Sequence, residues 1–146
     1  MALVREAHAT WSGDLPTGNG TVGVASGLFD GLETTWRART EAAEGKTSPE
    51  ELLAAAHASC FAMASSNNLA KAGFPVEMSE VTAKVTGDKR DAGWTVISSE
   101  LTLRARVPNV DEETFRLAVE AAKVGCPISR ALAGNVEITL DASLER

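Results

Sequence analysis

From Leu52 to Ala70 the sequence is built almost wholly of alanine, leucine, phenylalanine, methionine and small polar residues. A helix over this stretch is apolar or small on nearly every face, which predicts burial on most sides. Its start is well marked. Ser48 can serve as N-cap, Pro49 fits the first helical position, and Glu51 stands three residues after the cap, completing a capping box. A chain of 146 residues has the size of one ordinary domain, and such a domain has trouble covering a helix of this kind. The alanines allow close approach by a second helix. The expectation is a helix at the middle of a homodimer.

Around this helix the pattern is mixed. Three β-like runs precede it, at 6–12, 21–26 and 32–40, separated by glycine turns as in a meander. Two longer strands come after it. Val81, Ala83 and Val85 alternate with polar residues, as do Ile97, Leu101, Leu103, Ala105 and Val107, with Ser99 as the odd member of the apolar set. Residues 88–93 connect them as a hairpin. A second amphipathic helix starts near Asp111, with Phe115, Ala118, Val119 and Ala122 as its stripe, and Gly125 ends it. A short helix runs over 127–133, and a last strand over 136–142. Strands and helices are partly segregated, which predicts a single α+β domain over residues 1–146 with a largely antiparallel sheet.

Charge and composition narrow the chemistry. The net charge of −6 argues against nucleic acid and against an anionic membrane surface as partners. No run approaches the roughly 18 apolar residues of a membrane span, and residues 1–11 lack the apolar core of a secretory leader. The expected location is cytoplasmic, where two cysteines far apart in sequence are not expected to form a standing disulfide. His8 and His57 are the only histidines, and no ligands stand at zinc-site spacing, so no metal is expected. The thiols are then either inert core residues or a reactive pair.

Cys60 lies mid-helix and gains little from the helix dipole; to ionise it needs a nearby cation or donor. Cys126 lies between Gly125, which ends one helix, and Pro127, which fits the start of the next. As an N-cap its sulfur would face free backbone N–H groups, which favours a thiolate there. By this argument Cys126 is the better nucleophile. His57, three residues before Cys60, can share its side of the helix; it reads as a hydrogen-bonded core histidine or as the base of a Cys–His dyad. Arg37 and Arg39 alternate on the third run and, as strand residues, share a face. Glu50, at the second helical position, lies about 15 Å along the axis from Cys60 at about 1.5 Å per residue. It can act on Cys60 only through an arginine.

Residues 47–63, Thr-Ser-Pro-Glu-Glu-Leu-Leu-Ala-Ala-Ala-His-Ala-Ser-Cys-Phe-Ala-Met, resemble the first cysteine motif of the OsmC/Ohr family, and residues 125–134, Gly-Cys-Pro-Ile-Ser-Arg-Ala-Leu-Ala-Gly, resemble its second. Trp11-Ser-Gly-Asp and Gly18-Asn-Gly-Thr-Val resemble the amino-terminal part of the OsmC branch, and residues 135–141 are also similar. The resemblance implies an α+β fold of antiparallel sheets with long central helices, and an intertwined homodimer with sites at the interface. It implies thiol-dependent reduction of organic hydroperoxides without metal or bound cofactor. On this basis Cys60 is expected as the peroxidatic cysteine and Cys126 as the resolving one. Arg39 is expected to hold the thiolate and peroxide, and Glu50 to orient Arg39, with Arg37 as a competitor for that place. A full guanidinium charge at Cys60 would outweigh the helix-end effect at Cys126. A lipoyl-type or other small dithiol, free or on a carrier protein, is expected as reductant. Apolar neighbours such as Phe61 and Met63 favour alkyl hydroperoxides. Two other classes stand beside this one: a cysteine hydrolase using Cys60 and His57, and a non-catalytic binding module on the same fold.

Overall fold

A computed structural model describes residues 1–146. Its backbone divides into two compact units, Met1–Leu52 and Leu53–Arg146. In the first, β1 (Ala7–Ser12), β2 (Asn19–Val24) and β3 (Leu32–Thr34) form an antiparallel sheet in that order. Gly20 of β2 is required by close approach. A side chain there would run into the Thr10 carbonyl and the Trp11 ring of β1.

The third run differs from the expectation of one strand over 32–40. It pairs with β2 only as far as Thr34, then turns into the short helix α1 (Trp36–Thr40). Thr35 makes the switch. Its backbone is extended, and its hydroxyl accepts the Ala38 N–H at 3.0 Å, a side-chain N-cap. The helix itself, Trp-Arg-Ala-Arg-Thr, holds no β-branched residue until Thr40, and arginine and alanine are good helix formers. Arg37 and Arg39 therefore do not share a face, since two residues on a helix are separated by about 200°.

α2 (Pro49–Lys71) begins in this unit and continues into the second. Its start is as expected, with the Glu51 N–H donating to Ser48 Oγ at 3.2 Å. Its burial is not. His57, Phe61, Ser65 and Leu69, four residues apart, form one buried line, while Ala55, Ala56, Ser59, Met63, Ser66, Asn67 and Ala70 stay exposed. A single chain covers one stripe of this helix and leaves the opposite one open.

In the second unit, β4 (Met78–Arg90) and β5 (Gly93–Arg106) form a long hairpin, closed by Asp91 and Ala92. Gly93 takes a φ of 109°, which side chains rarely adopt. β6 (Glu137–Glu145) pairs with β5 in parallel. A parallel pair needs a crossover. Here it is made by α3 (Glu112–Gly125) and α4 (Pro127–Leu132). The sheet is thus mixed, with one antiparallel and one parallel pair. Asp111 caps α3, its carboxylate accepting from the Thr114 N–H and hydroxyl. Phe115, Val119 and Ala122 of α3 pack with Leu101, Leu103 and Ala105 of β5 and with Phe61 and Leu69 of α2 to form the core. The result is an α+β fold, and no helix is long and apolar enough to cross a membrane.

Candidate active site

Cys126 occupies the joint of α3 and α4. Its N–H closes α3 on the Ala122 carbonyl at 2.8 Å, and it is also the residue from which α4 starts. Pro127 suits that start because its missing N–H would have had no helical partner. The joint turns the thiol inward, where Cys126 is fully buried within the core cluster. Cys60, in the middle of α2, meets it there. The two sulfurs lie 2.9 Å apart and share an S–H···S hydrogen bond, although 66 residues separate them in sequence. Both cysteines are free thiols.

The two sulfurs differ in environment. Burial pushes the Cys126 thiol up, but the neighbouring Cys60 thiol and the polar groups at the start of α4 outweigh it, and the thiol ends below its ordinary value. Cys60 moves the other way. Burial, the hydrogen bond with Cys126 and the charge that develops on Cys126 all raise it, against one backbone donor at Ile128. The two shifts run in opposite directions, and Cys60 is the thiol in need of a cation. Access runs opposite to acidity: Cys60 is part exposed, Cys126 is not exposed at all.

His57 is fully buried one turn before Cys60, and both of its ring nitrogens are engaged with serines. Nδ1 lies 2.7 Å from Ser99 Oγ and Nε2 lies 2.8 Å from Ser129 Oγ. Burial lowers its pKa, which keeps the ring neutral. With both nitrogens occupied, the imidazole is a core histidine and not a base aimed at Cys60. Ser99 and Ser129 are partners of His57 that sequence reasoning does not assign. Ser99 leaves a trace, as the one polar member of an apolar alternation; Ser129 leaves none.

The arginine–glutamate pair is assembled within the first unit. Arg39 grips Glu50 with Nε at 3.0 and 3.1 Å from the two carboxylate oxygens and Nη2 at 2.8 Å from one of them. The Arg39 guanidinium also lies 5.8 Å from the centroid of the Trp36 ring. Glu50 is only 8% exposed, so the pair is largely desolvated and its geometry is well held. Arg37 is bound elsewhere, to Glu41 at 3.1 Å and Glu44 at 3.5 Å on the surface. Beside Arg39 opens an apolar cavity of about 300 Å³, with Trp11, Leu15, Val22, Trp36 and Leu52 in its walls. No three His, Cys, Asp or Glu side chains converge as a metal-binding set.

An α+β framework with a paired-thiol centre is the class that this geometry defines. The sequence profile of a family described as OsmC-like protein matches residues 42–141. Peroxiredoxin OsmC of Escherichia coli (strain K12) is 41% identical over 145 residues, 99% of each chain. The organic hydroperoxide resistance protein OhrA of Bacillus subtilis (strain 168) is 33% identical over 107 residues, 72% of this chain and 73% of the relative. The crystal structure of the organic hydroperoxide resistance protein OhrB of Bacillus subtilis superposes with a TM-score of 0.70 at 27% identity, covering 94% of this chain and 98% of that one. The chain belongs to the OsmC-like family, and its fold is that family's fold.

Proposed function

We propose that this protein is a thiol-dependent peroxidase that reduces organic hydroperoxides by a two-cysteine cycle. The observation that carries this reading is the pair of free sulfurs 2.9 Å apart, one part exposed and one sealed in the core. Relatives named as a peroxiredoxin and as organic hydroperoxide resistance proteins support the substrate class. Inert core thiols need no such juxtaposition.

In the proposed reaction Cys60, the accessible thiol, attacks as a thiolate. Its sulfur takes the distal oxygen of the hydroperoxide, the O–O bond breaks, and the alkoxide leaves and acquires a proton to become the alcohol. Cys60 is now a sulfenic acid. The resemblance assigns to Arg39, fixed by Glu50, the positive charge for the thiolate and for the leaving oxygen, where preorganised charge is most effective. Cys126 then closes a disulfide with Cys60 and releases water. A small dithiol of lipoyl type, free or on a carrier, reduces that disulfide by exchange. Apolar walls beside Arg39 fit an alkyl group better than a second water molecule. The same reading takes the protein as a homodimer, which would cover the exposed stripe of α2.

The test is a thiol count and intact mass of the reduced protein after one equivalent of cumene hydroperoxide. We expect both thiols to disappear together, with the two cysteine peptides joined. Cys60→Ser should abolish the oxidation, and Cys126→Ser should stop it at the sulfenic acid. Two thiols that stay free in the wild-type protein would rule the reading out.

A further inference from the structure

α4 is only six residues long, from Pro127 to Leu132. A helix this short has no stability of its own and keeps its place only through tertiary contacts. Cys126 is its N-cap, and its first turn closes where the Arg130 N–H donates to the Cys126 carbonyl at 2.9 Å. Wherever α4 sits, Cys126 sits with it. Ile128 packs half-buried against the core, but the one residue of the helix that is buried is Ser129. A buried hydroxyl is a costly anchor unless it is hydrogen-bonded. Its partner is Nε2 of His57 on α2, 2.8 Å away. His57 is held from its other side by Ser99 of β5, 2.7 Å from Nδ1. β5 is the middle strand of its sheet, paired along both edges, so the tie ends on a fixed element.

The tie lies in register with the thiols. On α2, His57 precedes Cys60 by three residues. At the joint of α3 and α4, Ser129 follows Cys126 by three. The two segments thus make two contacts in opposite order, His57 with Ser129 and Cys60 with Cys126. Three helical residues advance about 4.5 Å on either side, so rigid segments satisfy both contacts together. The proposed cycle treats the two contacts differently. The S–H···S hydrogen bond joins reduced thiols. Once the peroxide oxygen is on the Cys60 sulfur that bond is gone, whereas the oxidation leaves His57 and Ser129 as they were.

We propose that the His57–Ser129 hydrogen bond, backed by Ser99, keeps Cys126 within reach of Cys60 while Cys60 is a sulfenic acid, and so governs closure of the disulfide. His57 and Ser129 are positioning residues that act through the placement of α4. The proposal rests on the two-cysteine peroxidase reading. In the step it serves, the Cys126 thiol gives up its proton and its sulfur attacks the Cys60 sulfur. The S–S bond forms, the S–O bond breaks, and the leaving hydroxide takes up a proton to become water. Cys126 is oxidised and Cys60 is reduced, each sulfur ending in the disulfide. Closure is intramolecular, so its rate and its equilibrium both follow how well the two groups are held together.

Two measurements read that placement. In the first, reduced protein meets one equivalent of cumene hydroperoxide, and the sulfenic acid is trapped with dimedone at timed points. Ser129→Ala should oxidise at Cys60 at the parent rate and then close the disulfide about tenfold more slowly, so that the dimedone adduct accumulates on Cys60. In the second, each protein is equilibrated with mixtures of reduced and oxidised dithiothreitol, which needs no peroxide. The same variant should shift the equilibrium about tenfold toward the two thiols. His57→Gln, which keeps an N–H to face Ser129, should stay nearer the parent than His57→Leu in both measurements. Ser99→Ala should move both in the same direction as Ser129→Ala, by less.

A trio that only stabilises the fold would lower the denaturant midpoints of the reduced and oxidised forms alike, and leave closure and equilibrium at the parent values. That result in Ser129→Ala overturns the proposal. A first oxidation slowed as much as the closure overturns it too, because the effect would then not lie in the placement of Cys126. Wild-type protein that forms the disulfide in dithiothreitol mixtures but keeps both thiols under hydroperoxide would sink the peroxidase reading alone, since the equilibrium still reports whether the tie holds Cys126 to Cys60.

Discussion

At the scale of single residues, acidity and access point to different thiols. Cys126 has the donors and Cys60 has the exposure. A reaction with an external peroxide is decided first by what the peroxide can reach. In the proposed cycle the lower pKa of Cys126 suits the second step. His57 carries a consequence for stability as well. Its pKa is depressed in the folded protein, so between that value and the ordinary one near 6.5 the unfolded chain binds the extra proton. Stability is therefore expected to fall as pH drops through about 6.5. Denaturant midpoints at pH 7.5 and 5.5 should separate more for the wild-type protein than for His57→Gln; equal separations would show that His57 does not drive the loss.

At the scale of elements, the short helix α1 decides which arginine pairs with Glu50. Read as strand residues, Arg37 and Arg39 are equivalent; on a helix they diverge, and only Arg39 meets Glu50. The sequence signals of this helix are weak because five residues are too few for a period to show. What creates it is the Thr35 cap, whose loss typically costs about 1 kcal/mol. Helices this short have no stability to spare. Thr35→Ala should therefore slow the first oxidation of Cys60 by about fivefold or more while leaving global stability within about 1–2 kcal/mol of wild type. Stopped-flow oxidation beside a denaturant melt checks it, and an unchanged oxidation rate would show that α1 does not set the Arg39 geometry. The start of α2, by contrast, was legible to the residue, since Ser48, Pro49 and Glu51 are local signals that need no tertiary partner. The parallel pairing of β5 with β6 was not. Alternation tells which face of a strand is buried, never which strand lies beside it.

For the whole molecule, the line of exposed small and apolar residues along α2 is the largest departure from the burial that its composition predicts. Ala56, Ser59, Met63 and Ala70 recur at helical spacing on that open side, and Met63 is 67% exposed. A second copy of the chain is the occupant we expect there. Light scattering should give about twice the mass of 15.3 kDa, and Met63→Glu should shift the population toward monomer. A wild-type monomer at micromolar concentration would remove the dimer from the reading. Of the candidate residues, the Cys60–Cys126 contact and the Arg39–Glu50 contact each join positions that the sequence motifs had singled out, each within its own unit. The serines that hold His57 were not legible, because a buried serine looks like any other until its partners arrive from elsewhere in the chain.

Glu50 and Cys60 stand on one uninterrupted helix, ten positions apart. Each residue advances about 1.5 Å and turns about 100°. A point change between them to any residue but proline leaves that separation and that angle alone, whatever it does to packing. An inserted or deleted residue rotates one end by more than a quarter turn against the other, carrying either the carboxylate away from Arg39 or the thiol away from Cys126. Within α2 the number of residues is therefore the constrained quantity, more than their identities.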